Sequence, residues 1–214
     1  MPSTVAQAKK AFVTELWDDN PIFRQVLGIC SSLAVTNLMF NTLLMCLGLV
    51  WATAMTSLTV SALRTCTPQR VRMIVQVLLA AVYVIVVDIV FRAQFPDIHR
   101  VIGPYVGLII TNCIIMGRAE AFASKNPVLP SLLDGIGAGL GYSGILMTVA
   151  LIREVLGFGS VFGAALPGRA LWWQSWTIMV MPPGAFFVLA LIVWAARAHA
   201  LRLDAARKAR EAKK

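Results

Sequence analysis

Hydrophobic residues in this chain run in long unbroken blocks, not at the three-to-four spacing of a surface helix. Six such segments stand out: I, Gln25 to about Thr36; II, Phe40–Leu63; III, Val71–Phe91; IV, Val101–Gly117; V, Pro130–Leu156; and VI, Trp176–Ala196. Each is apolar on every side, the pattern of a helix surrounded by other apolar matter. Segments II to VI approach or exceed the roughly 20 residues that cross a bilayer. Segment I, bordered by the Asn20-Pro21 turn and by Asn37 and Asn41, is too short to span as a regular helix and reads as a half-membrane element. The pattern predicts an all-α polytopic membrane protein with six transmembrane helices.

Composition agrees: 58% of the residues are hydrophobic and 14% are charged, against about 25% charged in soluble domains. The N-terminus, MPSTVAQAKKAFVTELWDDNP, has no apolar core followed by a small-residue cleavage site, so segment I is expected to be retained. The net charge of +9 is that of basic loops on one side of a membrane and not of a nucleic-acid binder. With both termini inside, 15 of the 19 Lys and Arg face the cytoplasm, leaving Arg92, Arg100, Arg153 and Arg169 outside. That asymmetry predicts both ends on the cytoplasmic side.

The order of elements, short segment, long span, span, occurs twice. Aligning Cys30 with Cys113 sets V-L-G-I-C-S-S-L-A against I-I-T-N-C-I-I-M-G, and the long span after each ends in an arginine, Arg64 or Arg153. Three crossings is an odd number, so the second copy would lie upside down relative to the first. The expected organisation is a cytoplasmic N-terminal segment 1–24, a first three-helix repeat 25–100, a second 101–196, and a basic tail 197–214, with half-helices at I and IV. Inverted repeats usually enclose a site near the midplane, and here they would bring two cysteines to it.

Four cysteines, Cys30, Cys46, Cys66 and Cys113, are too few for a disulfide framework. Cys46 lies in an uninterrupted apolar span and Cys66 in a basic loop, so both read as ordinary thiols. Cys30 and Cys113 differ. Gly28 and Ser31-Ser32 flank one, Thr111-Asn112 and Gly117 the other, and small polar neighbours supply donors to a thiolate. Either cysteine can still be a buried hydrophobe. If both ligate a metal, two more thiolates must come from another chain, because iron–sulfur and structural zinc sites take four ligands.

The stretches NPIFRQVLGICSSLAVTN, VGLIITNCIIMGRAEAFASKNP and PSLLDGIGAGLGY closely resemble a family of paired respiratory membrane subunits, those of the sodium-translocating NADH:quinone reductase and of the Rnf complex. The likeness runs from about residue 15 to 195. It implies six helices as two inverted repeats, beside a homologous subunit of opposite orientation. It also implies one [2Fe–2S] cluster between the two, with Cys30 and Cys113 as this chain's ligands. The S-S-L-A-V-T that follows the first cysteine and the GLIITNCI run look more like the quinone-reductase branch than the Rnf branch. The implied role is an electron relay at midplane, coupled to sodium export, with flavin-carrying subunits and membrane lipid as further partners. Nothing in this chain is expected to bind NADH or quinone.

Other features are read structurally. Gly139–Gly144 matches G-x-G-x-x-G but lacks the preceding strand of a nucleotide site, so Gly135/Gly139 and Gly137/Gly141 predict close helix contact. Asp88, deep in an apolar run, is expected to pair with Arg92 one turn on, with ion binding as the alternative. Arg118 and Glu120 are candidates for holding the end of the half-helix or a partner subunit, and Asp134 suits the positive end of segment V. Trp172, Trp173 and Trp176 form an interface belt. The rival from another class, a secondary transporter, would need polar groups along a midplane path, and few are evident beyond Asp88.

Overall fold

A computed structural model of the chain describes residues 27–36, 38–94, 96–161, 164–165 and 177–211. Apolar runs become helices because hydrocarbon offers no partner for backbone N–H and C=O groups, so each segment must satisfy its own. The helices are α1 (Ile29–Val35), α2 (Met39–Leu63), α3 (Arg72–Gln94), α4 (Pro96–Ile110), α5 (Cys113–Arg118), α6 (Val128–Phe158), α7 (Thr177–Val180) and α8 (Pro182–Glu211). A π turn, Ala119–Ala123, extends α5. After α6 ends on left-handed Gly159, two-residue strands Ser160–Val161 and Ala164–Ala165 pair antiparallel. Among the described residues, four stretches are long and apolar enough to cross a membrane: Met39–Leu63, Arg72–Gln94, Gly103–Ala123 and Val128–Phe158. Pro183–His199 is a shorter apolar helix. The Trp172–Trp176 belt lies outside the described residues.

Two segments depart from simple spans. Segment I is a seven-residue helix, entered through Gly28 at φ +84°. Segment IV begins earlier than its apolar run, at Pro96, and breaks at Thr111-Asn112 before restarting at Cys113. Segment VI is interrupted at Met181, beside Pro182-Pro183, and its helix continues beyond Ala196 through the basic tail to Glu211.

The long helices α2 and α6 form the antiparallel centre. Ser61 Oγ donates to Asn126 O at 2.6 Å, just ahead of α6. At the other end Met39 N–H, opening α2, donates to Glu154 Oε2 at 2.7 Å. Glycine lets the two backbones approach: a Cβ on Gly135 would lie 2.9 Å from Ser57 Oγ, and one on Gly139 would lie 3.1 Å from Val50 Cα.

The core lies on both sides of this pair. Cys46, Leu49, Ile114, Tyr142, Leu146, Val149 and Val188 pack on one side, joining α2, α5, α6 and α8. Val35, Met45, Ala52, Val84, Ile109 and Ile115 pack on the other, joining α1 to α5. The outward face of α3 is a stripe of Ile74, Leu78, Val82, Ile85 and Ile89, all more than half exposed. A run of that length is unsuited to water and suited to lipid. The interior is more polar than the apolar runs imply, since Arg118, Asp134, Arg153, Glu154, Gln76, Thr53, Thr56 and Ser57 are all buried.

Candidate metal centre

The two cysteines stand at the starts of the two short helices. Cys113 is the first residue of α5 and Cys30 the second of α1. The local reasons differ. Asn112 is extended and caps α5, its Oδ1 accepting from Ile114 N–H at 3.1 Å. Gly28 offers α1 no side-chain cap; it supplies a left-handed bend where no Cβ fits, since one would lie 2.5 Å from the Tyr142 ring.

Their neighbours join the two starts. Asn112 Nδ2 donates to Ser31 Oγ at 3.2 Å, so the residue before Cys113 is bonded to the residue after Cys30. Tyr142, fully buried near the middle of α6, donates to Gly28 O at 2.5 Å and bonds Ser31 Oγ. Gly117 of α5 faces Leu27, with room for a Cβ only 3.1 Å from Leu27 Cδ1. From this meeting point α1 runs to the end of the molecule where Arg153 lies, and α5 runs to the end where Arg72 lies.

Each far end is held by charge. Arg118 makes a two-pronged pair with Asp134, Nε to Oδ2 at 3.1 Å and Nη2 to Oδ1, with both side chains buried. Its guanidinium also sits 5.7 Å from the centre of the Phe122 ring. Glu120 meets Arg72 and accepts from Gln76 Nε2 at 3.0 Å, tying the π turn to α3. For α1, Arg153 Nη1 donates to Thr36 Oγ1 at 2.5 Å, and its Nη2 to the carbonyls of Val180 and Met181 at 3.0 and 3.1 Å. Arg153, counted by charge among the outer-loop residues, is thus a buried residue of α6.

Asp88 stands elsewhere, and its expected partner is corrected. Asp88 Oδ1 lies 2.8 Å from Nε2 of His99, at the start of α4, and Arg92 is not its partner. A turn closing onto the next helix brings a ring nitrogen nearer than the long arginine on its own helix. Tyr142, Glu154 and His99 are the site and support residues that sequence reasoning passed over, while Arg153 reads in sequence only as the outer arginine that ends the second long span. The available signals were an adjacent Arg-Glu pair inside an apolar run and one phenol amid five glycines.

Cys30 and Cys113 are exposed, and both are free thiols, as are buried Cys46 and exposed Cys66. Among the described residues, no cluster of three or more His, Cys, Asp or Glu could hold a metal ion. Two thiols at adjoining helix starts, open to the outside and without further ligands close by among the described residues, have the chemistry of half a tetrathiolate site and do not suffice for a complete one.

A sequence profile for the Rnf-Nqr subunit, a membrane protein, matches residues 8–193. Two relatives, from Aeromonas hydrophila and Aeromonas salmonicida, each named as a subunit of the Na(+)-translocating NADH-quinone reductase, are 46% identical over 195 residues. Each match covers 90% of this chain and 93% of the relative.

Proposed function

The chain belongs to the Rnf-Nqr subunit family of membrane proteins, and from that premise we propose that it is an electron-relay subunit of a sodium-translocating NADH:quinone reductase. In this reading Cys30 and Cys113 are half the ligand set of a [2Fe–2S] cluster, completed by two cysteines of a homologous membrane subunit. A cluster bound there supplies a one-electron carrier at mid-membrane depth. The observation that carries the reading is the Ser31–Asn112 bond, which joins the cysteine-bearing helix starts at the level of Tyr142.

The chain's residues hold and orient. The bond between Ser31 and Asn112 fixes the spacing of the two starts, and exposure of both thiols leaves them open to ligands from a partner. First-turn N–H groups of α1, free of a side-chain cap, are available as donors to a sulfur ligand. Electrons enter and leave through flavin-carrying subunits of the complex.

The two-fold inverted design is supported by reciprocal contacts. The end of α2 reaches the turn before α6 through Ser61 and Arg64, and the end of α6 reaches the turn before α2 through Arg153 and Glu154. With the basic residues on the cytoplasmic side, both termini lie on that side of the inner membrane, and α1 enters it as a half-helix. Relatives named for the quinone reductase favour that complex over Rnf.

The test is made on the purified complex. Reduced wild-type sample should give a [2Fe–2S] electron paramagnetic resonance signal, and Cys30→Ala and Cys113→Ala should each abolish it together with quinone reduction. Survival of both in either variant sinks the relay. Sodium stimulation of NADH–quinone activity, against NADH–ferredoxin activity, separates the two complexes.

A further inference from the structure

Two hydroxyl hydrogens, those of Tyr142 and Ser31, serve three contacts between the cysteine helices, because Ser31 Oγ reaches both Tyr142 and, at 3.2 Å, Gly28 O. Tyr142 has a single hydroxyl hydrogen, and Gly28 O, 2.5 Å away, can only accept it. Ser31 Oγ lies closer to Tyr142 than to Gly28 O at 3.2 Å, so at the shorter contact the serine is the donor and Tyr142 the acceptor. Ser31 Oγ in turn accepts from Asn112 Nδ2 at 3.2 Å, and Asn112 Oδ1 accepts from Ile114 N–H at 3.1 Å. The result is a one-way chain: Ile114 N–H, the Asn112 amide, Ser31 O–H, Tyr142 O–H, Gly28 C=O.

The series begins on the peptide that follows Cys113 and ends on the Gly28–Ile29 peptide, one before the peptide that leads into Cys30. Ile114 follows Cys113. At the other end the Gly28 carbonyl shares a planar trans peptide with Ile29 N–H, which points the opposite way, in the first turn that holds Cys30. Bonds in such a series polarise one another. Accepting from Tyr142 makes the Gly28–Ile29 peptide a stronger N–H donor, while Asn112 takes the Ile114 N–H away from Cys113. Donors near the sulfurs set the potential of an iron–sulfur centre.

We propose that Tyr142 is a positioning residue for the redox group held by Cys30 and Cys113: its hydroxyl closes a directional hydrogen-bond chain that couples the two cysteine-bearing helix starts and raises the group's reduction potential. The proposal rests on the reading of both cysteines as ligands. Tyr142 touches neither the substrate nor the reacting atoms; it acts through Gly28 and Ser31.

The test is a redox titration followed by electron paramagnetic resonance on the whole complex. Tyr142→Phe keeps the ring that fills the core and removes only the hydroxyl. It should retain iron and subunit assembly but shift the midpoint downwards, so that the oxidised-to-reduced ratio at the wild-type midpoint rises about fivefold, as loss of one ordinary hydrogen bond would give. Ser31→Ala, which cuts the same chain, should shift it in the same direction. The double variant should match the larger single effect, because both break one series. Unchanged midpoints and g-values in both single variants, with the signal present, overturn the proposal even if melting temperatures fall. If Tyr142→Phe does not assemble, Ser31→Ala alone decides by the same criterion. A wild-type complex without a Cys30-dependent signal overturns the relay itself.

Discussion

The two short cysteine helices start together and are held in opposite styles. The second begins with a side-chain cap, Asn112, and ends in a π turn gripped by a buried ion pair, Arg118–Asp134. The first begins with an uncapped glycine bend and ends on Thr36, held by an arginine that also grips the carbonyls of Val180 and Met181. While α3 adds Arg72 and Gln76 on the π turn, one helix, α6, reaches both helices, with Asp134 near one end, Tyr142 near the middle, and Arg153 and Glu154 near the other. At 1.5 Å per residue these stand about 12 and 16 Å apart along its axis. The position of a half-helix is therefore set less by its own seven or so residues than by a neighbour long enough to reach both ends.

If α6 holds the two helices in these two styles, the costliest change lies in the ionic grip. Asp134→Ala leaves the buried Arg118 without this carboxylate, at about 3–5 kcal/mol. The expected outcome is failed assembly, or a large fall in the detergent melting temperature, with α5 loosened first in hydrogen exchange. Next comes the glycine bend. Gly28→Ala combines a left-handed backbone strain of about 1–2 kcal/mol with a clash against Tyr142 of about 1–3 kcal/mol. It should loosen α1 and leave exchange in α5 nearly unchanged. Smallest is the cap: Asn112→Ala removes one helix cap, about 1 kcal/mol, from the helix already tied by Arg118. Equal exchange in α1 and α5 for all three would dissolve the distinction.

The crossing helices are legible in the sequence because run length alone separates a span from a surface helix, and α2, α3 and α6 begin and end within a few residues of the expected segments. The break ahead of Cys113 is legible through Thr111-Asn112, polar residues that cap better than they continue an apolar helix. Partners are less legible. Asp88 to Arg92 is the obvious choice within one helix, but the pairing with His99 depends on how α4 turns back, which local spacing does not encode. Arg118 with Asp134 and Tyr142 with Gly28 likewise depend on the height and rotation of α6 against its neighbours. Arg153 escapes the charge rule for a related reason: a positive residue in an apolar chain normally marks a loop, whereas three oxygen acceptors let this one remain buried.

The central claim is that two of four cysteines form a half-site, and iron analysis tests it most directly. Iron and acid-labile sulfide would be measured in purified complexes carrying Cys30→Ala, Cys113→Ala, Cys46→Ala or Cys66→Ala. The account predicts that the first two each lose a full [2Fe–2S] equivalent while the last two retain it. Full iron in Cys30→Ala or Cys113→Ala, or its loss in Cys66→Ala, would contradict it.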